Sequence, residues 1–98
     1  MAAIDITPVL KFMTDKGGSD LFFSTNAAIH IDIEGETLPV NSQLMTPGMV
    51  KEIAYAIMNE AQIKEFESQL ECNFAIGRKD IGRFKVNVFR QRGEVGMV

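Results

Sequence analysis

The chain has 98 residues, of which 46% are hydrophobic and 23% charged, with a net charge of −3. This is the size of one domain, large enough for a hydrophobic core without disulfide or metal cross-links. A single cysteine excludes an internal disulfide, and no apolar run is long enough to cross a bilayer. The first residues lack the basic and hydrophobic blocks of a secretory signal. We therefore expect a cytoplasmic protein.

A first helix is expected over residues 7–16. Thr7 followed by Pro8 is typical of a helix start, with Thr7 as the N-cap residue and Pro8 in the first turn. Apolar residues follow at helical spacing, Lys16 complements the helix dipole, and Gly17 can adopt the left-handed conformation that ends a helix. A strand over residues 20–25 should come next.

Residues 28–33 alternate between apolar and polar side chains, with isoleucines on one face, which predicts a half-buried strand. Glu34-Gly35 supplies a tight turn, and residues 37–40 return as a short partner strand. Because Pro39 has no N–H to donate, this partner should lie at a sheet edge.

Two adjacent helices are expected in the middle of the chain. Thr46-Pro47 repeats the start signal of the first helix, and Asn59 with Gln62 three residues on is typical of a capping box that starts a third helix. With strands on both sides, the chain predicts an α+β fold, a mainly antiparallel sheet with helices packed on it.

The last third of the chain is basic, although the protein as a whole is acidic. Residues 1–71 hold eleven acidic residues against four lysines, whereas residues 72–98 hold six basic residues against two acidic ones. The six basic residues are Arg78, Lys79, Arg83, Lys85, Arg90 and Arg92. This asymmetry suggests an anionic partner for the segment, but six charges are too few to indicate nucleic acid.

These charges fall on a predicted hairpin. It has a strand at 72–76, a turn at 78–82 and a strand at 83–90. Arg83 and Lys85 share one face of the second strand, and Arg90 and Arg92 are expected to continue the stripe from the strand end. The stripe is either a solvated surface that deters edge pairing, or an anion site or subunit interface. The pattern alone leaves both open.

The sequence offers no constellation for catalysis or metal binding. It has no Gly-x-x-x-x-Gly-Lys-[Ser/Thr] loop to hold a triphosphate, and Gly17-Gly18 precedes a strand rather than a helix. It has no paired Cys or His ligands for zinc. A lone His30 is best interpreted as a surface strand residue, and Cys72 as a small core residue. We expect no catalytic residue and no metal in this chain.

Four segments resemble, in order, the opening of the PilT/PilU-type twitching motility ATPases. They are LKFMTDKGGSDLFFSTN, HIDIEGETLPV, YAIMNEAQIKEFESQLECNFAI and GRFKVNVFRQRGEVGMV. The resemblance spans essentially the whole chain, and the GGSDL turn and the GRF-x-VN-x-F strand are its most diagnostic parts. The segments Glu71–Ile76 and Gly93–Val98 are more similar to the PilU branch than to the PilT branch.

The resemblance implies that residues 1–98 form a single PAS-like N-terminal domain of a hexameric secretion-superfamily ATPase, which drives pilus retraction and twitching motility. The RecA-like domain, with its Walker motifs, would lie downstream and bind ATP and Mg, while this domain would bind no cofactor and catalyse nothing by itself. It would pack on the RecA-like domain of the neighbouring subunit and move with ATP turnover. The ring would sit at the cytoplasmic face of the inner membrane, with a PilT-like motor and the inner-membrane pilus machinery as partners.

In these ATPases, arginines from the last strands of the domain reach toward the nucleotide, and one such position matches Lys85, with Arg83 beside it. Lysine keeps the positive charge but loses the bidentate fork of arginine. Arg78, Arg90 and Arg92 are the expected subunit-interface residues.

Two other classes of function compete with a motor domain. A free-standing PAS-like ligand-binding or interaction module would need an apolar pocket with a few polar groups, and the sequence shows no such cluster. A nucleic-acid module would need exposed aromatic residues among the basic ones, and the stripe lacks them, so we expect no nucleic-acid partner.

Overall fold

The computed structural model describes residues 5–98, which form three helices and six strands. The helices are α1 (Thr7–Lys16), α2 (Met49–Ala56) and α3 (Glu60–Gln69). The strands are β1 (Asp20–Phe22), β2 (Ala28–Ile33), β3 (Glu36–Leu44), β4 (Glu71–Arg78), β5 (Gly82–Gln91) and β6 (Glu94–Met97). Residues 1–4, part of the segment in which we looked for a secretory signal, lie outside the described range. None of the helices within it is long and apolar enough to cross a membrane.

The strands form two antiparallel sheets, β1-β2-β3 and β4-β5-β6. One bridge joins them: the Phe23 N–H donates to the Met97 carbonyl at 2.8 Å, and the Met97 N–H donates back at 3.0 Å. The six strands therefore follow the spatial order β3-β2-β1-β6-β5-β4, continuous only at this bridge. The expected class, α+β and PAS-like with a mainly antiparallel sheet, is confirmed.

One hydrophobic core holds the helices on the sheets. Its most completely buried large side chains are Phe66, Ile31, Ile53, Met97, Val50, Val88 and Cys72. They come from α2, α3 and four of the strands, and no polar or charged residue is buried within 5–98. Since burial of large apolar side chains is the dominant favourable term in folding, this cluster fixes how the elements pack.

Helix α1 has the predicted bounds but not the predicted cap. Thr7 does not cap the helix; Ile6 is the N-cap residue, and the Asp5 carboxylate accepts the Thr7 N–H at 2.9 Å. This hydrogen bond is the main reason why the pKa of Asp5 is lowered. At the other end Gly17 is left-handed (φ 68°), and the next N–H donates to the Met13 carbonyl, which closes the helix as expected.

The start of α2 was predicted wrongly, and that of α3 correctly. Residues Thr46-Pro47 lie in a turn, because Gly48 has φ 86° and the helix begins only at Met49. The capping box of α3 is complete: the Gln62 N–H donates to Asn59 Oδ1 at 2.8 Å, and the Asn59 N–H donates to Gln62 Oε1 at 2.9 Å.

The first hairpin turns where the sequence predicted, at Glu34 (φ 51°) and Gly35 (φ 84°), both left-handed as a type I′ turn requires. Its second strand is longer than the expected residues 37–40, because four residues of β3 (40–43) stand opposite Ile29 and the pairing resumes at Ala28↔Leu44. That strand does lie at the sheet edge, where Pro39 needs no partner. Strand β1 is shorter than residues 20–25.

Candidate functional site

The β4–β5 hairpin presents two cations on the solvent side of its sheet. Arg83 and Lys85 are exposed on β5, and the residues between and after them turn inward, as the alternation predicted. Directly opposite them on β4 stand Gly77 and Ala75. Because glycine has no side chain and alanine has only a methyl group, the Arg83 and Lys85 side chains have open space beside them on the sheet surface. We call the surface formed by these four residues the basic face.

Neither cation of the basic face has an acidic partner within 4.0 Å. In the part of the chain that the structure describes, the one ion pair is Lys11–Asp15 on α1, at 3.0 Å. At the edge of the face, Asn87 Nδ2 donates to Asn73 Oδ1 at 2.9 Å and to Glu71 Oε2 at 3.1 Å. A shallow depression of about 600 Å³ runs from this amide pair past the Lys85 side chain. The face therefore offers uncompensated positive charge to an anion or a partner surface.

Arg90 and Arg92 do not continue the basic face, contrary to the expectation. Arg90 lies an odd number of residues after Lys85, so the alternation of the strand turns its side chain to the opposite side of the sheet. There its guanidinium carbon lies 5.9 Å from the centre of the Phe66 ring. Arg92 sits in the β5–β6 turn with φ 52°. The sequence already indicated this, because two residues an odd number of positions apart on a strand lie on opposite faces of the sheet.

Arg78 joins the hairpin to the first helix. Its Nε donates to the Thr7 hydroxyl at 3.2 Å, and its Nη1 donates to the Gly77 carbonyl at 3.0 Å. The hydrogen bond to Thr7 links the end of β4 to the start of α1. The interface roles expected for Arg78, Arg90 and Arg92 stay predictions.

His30 and Cys72 lie apart from the basic face. His30 is half-buried on β2. Its Nδ1 donates a hydrogen bond to the Ala28 carbonyl oxygen at 2.8 Å. Cys72 is 2% exposed in the core, where burial raises the pKa of its thiol and the neighbouring Glu65 raises it further. Across residues 5–98, no group of three His, Cys, Asp or Glu side chains is placed to hold a metal ion.

Cys72 should be almost inert to thiol reagents in the native protein. The thiolate is the reactive form, and both the raised pKa and the burial reduce its availability near neutral pH. We expect 5,5′-dithiobis(2-nitrobenzoate) at pH 7 to react at least about a hundredfold more slowly with the folded chain than with the chain in urea. Since the chain has one cysteine, the absorbance change reports this site alone. Comparable rates in the two conditions would show that Cys72 is accessible.

A cavity of about 320 Å³ lies between α1 and the inner side of β5. Apolar residues from all parts of the chain form most of its wall, and Asp20, Arg83 and Lys85 stand at its rim. The sequence shows no cluster of pocket-forming residues. The lining residues lie far apart along the chain, so only the folded structure brings them together.

Two curated proteins of Pseudomonas aeruginosa are similar to this chain. The type IV pilus ATPase PilU is 39% identical over 95 residues, which cover 97% of this chain and 25% of PilU. The type IV pilus retraction ATPase PilT is 35% identical over 95 residues, which cover 97% of this chain and 28% of PilT. The chain thus spans about a quarter of the length of these relatives. No protein-family model matches the sequence.

Solved structures show the same relationship. The crystal structure of the pilus retraction motor PilT with bound ADP superposes with a TM-score of 0.87 at 28% identity, over 96% of this chain and 28% of that one. The ATPase DotB of Legionella pneumophila shares the fold, with a TM-score of 0.77 at 13% identity over 99% of this chain and 29% of DotB. By sequence and by fold, nearly the whole of this chain thus matches the N-terminal part of the PilT/PilU family ATPases.

Proposed function

We propose that this chain is the N-terminal regulatory and assembly domain of a hexameric type IV pilus retraction ATPase. The observation that carries the proposal is the similarity of nearly the whole chain to about a quarter of PilU and of PilT. The domain packs on the RecA-like ATPase domain of the neighbouring subunit and moves with it during ATP turnover. The motor works at the cytoplasmic face of the inner membrane, with a PilT-like motor and the pilus machinery.

ATP and Mg bind elsewhere in the longer protein. This chain has no phosphate-binding loop, and its paired glycines, Gly17-Gly18, close the C-terminal end of α1 instead of opening a helix toward a phosphate. The residues present therefore do not form a nucleotide site of their own. The domain itself catalyses nothing, and its contribution is the positive charge of the basic face.

Lys85 and Arg83 are suited to act across a subunit boundary. Both are exposed and without an acidic partner, and both stand on a hairpin with continuous pairing from Glu71↔Phe89 to Arg78↔Gly82. The strand pairing fixes the backbone that carries the two cations, so their positive charge is held near one place on the domain surface, where it can stabilise phosphate charge. A lysine acts there as a point charge, whereas Arg83 can form two parallel hydrogen bonds with phosphate oxygens.

Removing the charge of Lys85 should slow ATP hydrolysis by the longer protein. We expect Lys85→Ala to lower kcat/KM for ATP at least about tenfold, equivalent to about 1.4 kcal/mol of transition-state stabilisation. Arg83→Ala should have an effect in the same direction. Steady-state turnover measured on assembled rings, with the oligomeric state checked by light scattering, tests both.

The matched control is Lys79→Ala, which removes an exposed cation from the turn of the same hairpin, away from the basic face. It should leave turnover within twofold of the unsubstituted protein, and Lys85→Arg should retain activity. Lys85→Ala and Arg83→Ala rings with unchanged ATP affinity and turnover would refute the proposed role of the basic face.

A free-standing PAS-like ligand-binding module is the second candidate, because the structure contains the cavity that such a module needs. Its apolar wall, and the two cations that outnumber Asp20 at its rim, suit an amphipathic carboxylate. Titration with decanoate, followed by amide chemical shifts of the α1 residue Leu10 and of Ile57 in the cavity wall, tests it. Saturable shifts at micromolar decanoate would favour this module over the motor domain.

A further inference from the structure

Gly77 is a glycine that the fold itself does not require. All eight glycines lie within residues 5–98, and five of them have a positive φ, which glycine adopts far more readily than other residues. At Gly18 and Gly96 a Cβ atom would lie 2.8 Å and 2.6 Å from a neighbouring side chain. Gly77 has neither a positive φ nor any atom within 4 Å of a Cβ built on its backbone. The glycine at this position therefore has its reason outside the fold.

The position of Gly77 inside β4 makes this glycine unfavourable for the strand. A residue without a side chain packs against nothing and gains the most conformational freedom on unfolding, so it weakens a strand. The Gly77 carbonyl accepts a hydrogen bond from Arg78 Nη1 at 3.0 Å, but every residue supplies such a carbonyl. A glycine inside a strand often marks a place where a ligand or another chain approaches the backbone closely.

Gly77 lies beside both cations of the basic face. It stands directly opposite Arg83 in the β4–β5 pairing and diagonal to Lys85, whose direct partner is Ala75. Long side chains in either of these relations reach each other across an antiparallel pair. A group that rests on the β4 backbone at Gly77 can therefore contact Arg83 and Lys85 together.

The charges around Gly77 favour an anion as that group. Within residues 5–98 neither Arg83 nor Lys85 forms an ion pair. Further along β4 the Glu71 carboxylate accepts a hydrogen bond from Asn87 Nδ2 at 3.1 Å. A guanidinium binds phosphate oxygens through two parallel hydrogen bonds, and the ammonium group beside it adds a second positive charge. Two adjacent cations match a phosphate chain, which carries several negative charges, better than a single carboxylate.

We propose that Gly77 is a specificity-determining residue of the basic face, because its missing side chain lets a phosphate chain lie against the β4 backbone within reach of Arg83 and Lys85. This inference rests on the proposed function, in which these two cations stabilise phosphate charge. A side chain at position 77 would stand where the phosphate oxygens lie and would hold them away from the cations. The glycine thus weakens the strand and gives the anion its place.

Binding of inorganic tripolyphosphate to the chain tests this. The unsubstituted chain, Gly77→Ala and Gly77→Val are titrated, and the amide shifts of Arg83 and Lys85 are followed by ¹⁵N NMR. Both variants keep every charge, and because nothing lies near the added carbon they should unfold at urea concentrations no lower than the unsubstituted chain. The matched control is Ala61→Val, which enlarges a small exposed residue on α3, away from the basic face.

The dissociation constant for tripolyphosphate should rise with the size of the side chain at position 77, at least about tenfold for Gly77→Val. Ala61→Val should leave it unchanged, and Arg83→Ala should raise it, because the probe then loses the guanidinium.

Three results would overturn the proposal. One is equal affinity of Gly77→Val and the unsubstituted chain, and another is the absence of a saturable shift at Arg83 and Lys85 in the unsubstituted chain. The third is unfolding of both Gly77 variants at lower urea concentrations, since the glycine would then serve the fold. Because the probe is inorganic and the readout is binding to this chain, the result is independent of the ATP turnover that tests the proposed function.

Discussion

Replacing Phe66 with alanine should lower the free energy of unfolding by about 3–5 kcal/mol. The Phe66 side chain is fully buried on α3, and its ring meets that of Tyr55 edge-on at a centroid distance of 6.2 Å. The Arg90 guanidinium carbon lies 5.9 Å from the centre of the same ring. Truncation removes the apolar contacts of the ring and leaves a cavity in the core. Urea unfolding followed by circular dichroism at 222 nm measures the loss.

Phe12→Ala is the matched control, since it makes the same chemical change on α1, where the ring is 37% exposed and contacts Lys16. It should cost less than about 1 kcal/mol. A domain of this size has about 5–15 kcal/mol of stability, so Phe66→Ala can unfold it outright. In that event Phe66→Leu, which keeps most of the volume, should still fold with a loss of about 1–2 kcal/mol. Equal losses for Phe66→Ala and Phe12→Ala would contradict the packing described.

Adding one methyl group at Gly18 should cost about 1–3 kcal/mol. A Cβ atom there would lie 2.8 Å from Ile31 Cδ1 and 2.9 Å from Met13 Cγ, both closer than carbon atoms approach without displacement. Because both neighbours are buried, neither side chain can move aside into solvent. Gly18→Ala should therefore push α1 away from β2, which thermal or urea unfolding detects.

Gly77→Ala is the control for Gly18→Ala, because nothing lies within 4 Å of a Cβ built at Gly77. It should change stability little, or raise it by up to about 1 kcal/mol through the lower entropy of the unfolded chain. A double-mutant cycle identifies the cause. If the clash with Ile31 is responsible, Ile31→Val should recover part of the loss in the Gly18→Ala background. Additive effects would mean that Gly18 is required for another reason.

Local signals in the sequence were reliable where one stretch of chain contains both partners of an interaction. The capping box needs only Asn59 and Gln62, and the first hairpin turn needs only Glu34 and Gly35. The start signal at Thr46-Pro47 failed because Gly48 takes a left-handed conformation and delays the helix. The alternation along β5 correctly placed Arg83 and Lys85 on the exposed face, and the same rule, applied further, separates Arg90 from them.

The sequence by itself determined the type and order of most elements, the buried face of β2, the exposed face of β5 and the resemblance to pilus motors. These follow from periodicity, capping and short motifs, all of which act between residues close in the chain. Only the tertiary structure decided that β6 lies between β5 and the end of β1, and that one bridge joins the two sheets. Residues such as Leu21 and Lys85 are separated by most of the chain, and their approach depends on burial of a shared core that no local pattern encodes.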